Sequence, residues 1–154
     1  MSKPYEPYQG TAVPVERSKE AIRQMLIANG SVAQSFSERG DTEMVEISWA
    51  RKVYMDDHGK KSEFVQPCRI RVSYHNRDIR QVFRVIYHHL KAKFEVVRFG
   101  ILSFEEEFLP YFMIRLPDGS PGTIAEAMLP QLRKGLAPSI LPMCLPPARE
   151  EEGK

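Results

Sequence analysis

The sequence predicts an α+β fold: an antiparallel β-hairpin or small sheet packed on one long amphipathic helix, with an N-terminal helix, short C-terminal helices and flexible proline-rich ends. The long helix comes first. Between Arg77 and Phe99, the residues Ile79, Val82, Phe83, Ile86, Leu90, Phe94 and Val97 recur at steps of three or four, the spacing of one helical face. Upstream, Val45, Ile47, Trp49 and Val53 alternate with Glu46, Ser48, Ala50 and Lys52. Further on, Phe64, Cys68, Ile70, Val72 and Tyr74 alternate with Arg69, Arg71 and Ser73. Period two is the mark of a half-buried strand, and the turn-forming DDHGKK between the runs makes them antiparallel partners. Finally, Ser103 precedes Glu106 by three and Thr123 precedes Glu126 by three. Both are capping boxes that open short helices.

Taken in order, residues 1–14 hold three prolines and no apolar periodicity, and read as a flexible arm. SKEAIRQMLIANG then reads as a helix with Ser18 as its cap, Ile22, Met25 and Leu26 on one face, and Gly30 as its stop. Asn76 or Asp78 caps the long helix and Gly100 ends it. YFMIRLPDGSPG is a short strand leading into a Pro-Asp-Gly turn, and TIAEAMLPQLRKG is a helix stopped by Gly135. Pro138, Pro142, Pro146 and Pro147 precede the charged end AREEEGK. The expected organisation is an arm over 1–14, one α+β domain over 15–136, and a proline-rich, charged tail over 137–154.

A chain of 154 residues, 42% apolar and 27% charged, can bury one real core. Lys and Arg total 22 against 20 acids, so the net charge of +2 barely favours an anionic partner. Only the placement of charge carries information. Cys68 and Cys144 form no CxxC pair, and the four histidines are too scattered for a zinc signature. The N-terminus has no apolar signal region, and no apolar run approaches the roughly 20 residues that span a bilayer. The expectation is a soluble protein with no membrane partner.

Three adjacent glutamates in FEEEF, Glu105, Glu106 and Glu107, invite a metal or catalytic reading. On a helix they splay over roughly 200° and cannot converge on one ion. Acids also belong in a helix's first turn, facing the positive end of its dipole. They read as helix punctuation. Asp56, Asp57 and His58 form a polar turn as readily as a metal site, and His88 and His89 point about 100° apart on a helix. Cys68 belongs to the apolar side of a strand. No GxGxxG, GKS/T or GxSxG motif is present. The residues therefore indicate no catalytic set, no metal site and no cofactor.

The strongest candidate site is a basic stripe on the long helix. Arg77, Arg80, Arg84, His88 and Lys91 follow at steps of three or four, and Arg98 continues the line past Glu95. Arg69 and Arg71 add charge on one face of the second strand. Such a ridge can follow a phosphate backbone, with Tyr74 and Tyr87 available to stack on bases. The bland alternative is a solvated helix face, and a protein-docking face is a third reading.

VPVERSKEAIRQML, LKAKFEVVRFGILSFEEEFLPYFMIRLPDG, TIAEAMLPQL and the terminal LPPAR together resemble a family of small hypothetical proteins encoded in tailed phages and prophages. The spacing from KAK through FEEEF to LPDG carries the resemblance, and the hairpin region matches poorly. Phe83 stands where the family has Trp, His88 and His89 where it has aliphatics, and Ala127 where an aromatic is expected. The resemblance implies a phage-related protein in the cytoplasm of a bacterial host. It implies no activity, cofactor or catalytic residue. The leading expectation is a non-enzymatic accessory protein that binds DNA or RNA through the basic helix face. The alternative is a protein-binding modulator of a host or phage enzyme, and the third is a carboxylate- or metal-dependent nuclease. The oligomeric state stays open.

Overall fold

A computed structural model describes residues 4–135; the tail expected over 137–154 lies outside the described residues. The fold is α+β, as the periodicities predict. Helix α1 (Val15–Ala28) is followed by strands β1 (Ser31–Arg39), β2 (Met44–Asp57) and β3 (Lys60–Ser73), then by the long helix α2 (Ile79–Arg98). The short helix α3 (Phe104–Phe108) runs into a 3₁₀ turn, Leu109–Tyr111. A small ladder of β4 (Met113–Arg115) and β5 (Pro121–Thr123) leads to α4 (Ile124–Arg133). No helix among the described residues is long and apolar enough to cross a membrane.

The sheet has the order β1-β2-β3, antiparallel throughout. Ile47 sits opposite Ile70 and Trp49 opposite Cys68, so the two predicted alternations share one face. His58 and Gly59, both at positive φ (51° and 86°), turn β2 into β3. Positive φ at both central positions is a type I′ turn, whose twist suits a hairpin. Asp56 Oδ1 accepts the Gly59 N–H at 2.9 Å, so the DDHG stretch serves the turn.

The inward face of α2 supplies Val82, Phe83, Ile86, Leu90 and Phe94, which pack with Ile22 and Leu26 of α1 and with Val45, Ile47, Trp49 and Ile70 of the sheet. Phe104 and Phe108 close this core, with Phe108 edge-on to Trp49 at 5.9 Å and beside Phe94 at 4.8 Å. Cys68 is fully buried, which pushes its thiol pKa up to about 12. A thiol so raised is not a nucleophile at neutral pH.

Three details differ from the expectations. Strand β1 follows α1 directly, where no strand was predicted; its inner face offers the core little beyond Phe36, paired opposite Ile47. Ser18 does not cap α1. That helix begins at Val15, and Ser18 is buried with a hydroxyl that has no partner among the described residues, its N–H already bonded to the Pro14 carbonyl at 3.2 Å. The segment read as an arm makes specific contacts with α2. Gln81 Nε2 donates to the Pro7 carbonyl at 2.8 Å, and the Tyr8 ring stacks on His88 at 4.6 Å.

Candidate nucleic-acid interface

Residues that cannot face the core line the outer side of α2, because its apolar stripe is sequestered by α1 and the sheet. Asp78, one of the two predicted caps, closes the N-terminus by accepting the Arg80 N–H at 2.9 Å. The same carboxylate takes the Arg80 guanidinium at 2.6 Å, and these bonds hold Asp78 below the ordinary carboxylate range. Arg80 is thus a neutralised cation. Lys91 lies 3.8 Å from Glu95, an exposed i,i+4 pair of small energetic weight.

Arg84 is different. Its guanidinium lies 5.0 Å over the Tyr87 ring and its Nη2 is 3.0 Å from His88 Nε2. With Arg84 donating, His88 must accept, which requires a neutral imidazole. Partial burial, followed by the charges of Arg84 and Lys91, depresses the His88 pKa below its ordinary value, in agreement with that bond. His88 therefore belongs to the ridge as an aromatic platform under Tyr8 and carries no charge at neutral pH. Arg77 and Arg98, at the two ends, are exposed and have no carboxylate partner among the described residues.

Arg69 and Arg71 do not join this ridge. Alternation along β3 turns Cys68, Ile70 and Val72 toward α2, so the arginines between them point to the other sheet face, where α4 begins. There the Arg69 Nη2 donates to both oxygens of Glu126, at 2.8 and 3.1 Å, with its side chain 8% exposed. Glu126 also completes the Thr123 capping box, accepting the Thr123 N–H at 3.0 Å. Arg71 donates to Glu46 at 2.8 Å. Both arginines hold the fold together. Sequence spacing cannot reveal this, because Arg69 and Glu126 are 57 positions apart.

Two of the FEEEF glutamates are similarly engaged. Ser103 and Glu106 form the reciprocal capping box, with the Ser103 N–H donating to Glu106 at 2.7 Å and the Glu106 N–H donating back to the serine hydroxyl at 3.1 Å. Glu107 accepts from Lys93 at 2.7 Å, a largely covered ion pair that ties α3 to α2. The Lys93 ammonium also lies 5.3 Å over the Tyr111 ring. Lys93 falls off the basic stripe because it faces α3. His89 is hydrogen-bonded to the Tyr111 hydroxyl at 2.9 Å, away from His88. Among the described residues no group of three or more His, Cys, Asp or Glu is placed to hold a metal ion. Tyr8 had no sequence signal as a part of this surface, since nothing in its neighbourhood is periodic.

Comparison with protein-family models, with curated proteins and with solved structures finds no match to the chain.

Proposed function

We propose that this chain is a non-enzymatic accessory protein of phage or prophage type that acts by binding, with the outer ridge of α2 laid along the phosphate backbone of a nucleic acid. One observation supports this most: Arg84 and Arg98 lie on the outer side of α2, and Arg77 just before its N-cap, with no carboxylate partner among the described residues. Along α2, Arg84 and Arg98 are about 21 Å apart at 1.5 Å per residue, the length of several nucleotides. Tyr8, His88 and Tyr87 form an aromatic step between the arginines, 4.6 and 5.0 Å apart ring to ring, on which an unpaired base can stack. The partner is read by charge and stacking, with little preference for sequence. The bacterial cytoplasm fits the phage resemblance.

A second reading rests on a different surface. Past the end of α2, Phe99 is 86% exposed and Ile101 67%, with Leu102 beside them. Adjacent exposed apolar side chains of this size suit a protein partner, which is the modulator reading.

Fluorescence anisotropy with labelled single- and double-stranded DNA and RNA at about 50 mM salt tests the first reading, since backbone contacts are strongest at low salt. Saturable binding independent of sequence is expected. Absence of binding to every probe would remove the nucleic-acid reading. The apolar surface would then be tested by replacing Phe99 and Ile101 with Ser and asking whether specific partner capture is lost.

A further inference from the structure

A cavity of about 530 Å³ opens between α2 and the outer edge of β3. It exists because β3 is the last strand of the sheet: beyond the isolated bridge from Cys68 to Phe112, the stretch Arg69–Ser73 has no strand neighbour on that side among the described residues. The floor is aliphatic, made by Ile70 and Val72 of the strand and Val82, Val85 and Ile86 of α2. Tyr5, Glu6 and Pro7 border one side, held there by the bond from Gln81 to the Pro7 carbonyl.

Polar groups are few and their states differ. His89 and Tyr111 are bonded to each other at 2.9 Å, and Arg71 is bonded to Glu46. That leaves Arg77 and Glu6 as the lining charges without an ion-pair partner among the described residues. Arg77 stands just before the N-cap Asp78, at the N-terminal end of α2, and its guanidinium is exposed. A site of this volume with an aliphatic floor and one cationic end suits a small amphipathic molecule.

We infer that this groove binds a small amphipathic anion, an aliphatic chain of about ten carbons whose terminal carboxylate is held at Arg77. The chain displaces water from the floor between Val72 and Val85, and the carboxylate takes charge-assisted bonds from the guanidinium. Glu6 opposes the headgroup across the rim. The site shares Arg77 with the ridge but not Arg84 or Arg98, so decanoate binding that survives in Arg84→Glu with Arg98→Glu separates the groove from the nucleic-acid reading.

Decanoate is the probe, titrated by calorimetry and by amide chemical-shift mapping of the full chain. Saturable binding with a dissociation constant of about 1 mM or tighter is expected, with shifts centred on Val72, Val82, Val85 and Ile86. Arg77→Gln should weaken binding about tenfold or more, the loss of a charge-assisted bond. Glu6→Gln should tighten it. Val85 is 38% exposed, so Val85→Asp should fold normally and abolish binding. Decylamine should bind more weakly than decanoate. Shifts scattered over the surface, equal binding of decylamine, or decanoate affinity unchanged in Arg77→Gln would each overturn the assignment.

Discussion

The inward and outward faces of α2 are built from one sequence periodicity and behave differently. Inward, Phe83, Leu90 and Phe94 are buried together, and their identities follow from the volume between α1 and the sheet. Outward, residues of the one basic stripe have unlike fates. Arg80 is neutralised by Asp78, His88 is covered by Tyr8, and Arg77, Arg84 and Arg98 keep charges that no carboxylate among the described residues balances. A buried face is therefore readable from spacing, because most groups that survive there are apolar. On an exposed face, spacing shows where charges sit but gives no indication of their partners.

Breaking the inward face should have the largest effect. Phe94 is 4% exposed and its ring packs 4.8 Å from Phe108, so Phe94→Ala should cost about 3–5 kcal/mol by chemical denaturation. That is comparable with the whole stability of a small domain. Full stability in this variant would mean that the core does not rest on α2.

Removal of residues 1–12 should have a smaller but measurable effect. It uncovers His88 and leaves the buried Gln81 amide without the Pro7 carbonyl. An orphaned buried donor costs about 1–3 kcal/mol, and relaxation toward solvent should keep the loss near the lower end. An unchanged melting temperature would show that the segment does not hold this position in solution.

Smaller again is the capping box of α3. Glu106→Ala removes the acceptor for the Ser103 N–H and should cost about 1 kcal/mol. Glu105→Gln changes only an exposed charge in the first turn, worth a few tenths of a kcal/mol by the helix dipole. Equal effects from the two substitutions would contradict the assignment of Glu106 as the capping residue.

These differences explain what the sequence could and could not reveal. Helix α2, the β2–β3 hairpin and both capping boxes were legible, because each is set by local spacing: a helical stripe, a period of two, or a pair three residues apart. Strand β1 was not, since an edge strand rich in Ser, Ala and Gln carries almost no alternation. Ser18 misled because a buried serine inside a helix looks, in sequence, like a cap. Arg69 and Arg71 were placed correctly on one sheet face, but α4 approaches that face from more than fifty positions away. The contact of Tyr8 with His88 depends on tertiary placement alone.

The outer ridge is tested most directly by the salt dependence of nucleic-acid binding in the wild type and in Arg84→Glu with Arg98→Glu. Neither arginine has a carboxylate partner among the described residues, so the doubly substituted protein should melt near the wild-type temperature. Loss of two phosphate contacts should flatten the slope of log affinity against log salt by about 1.4–1.8, at roughly 0.7–0.9 per contact. Affinity at low salt should fall together with the slope. An identical slope and affinity in a folded double variant would contradict the placement of the phosphate backbone along α2.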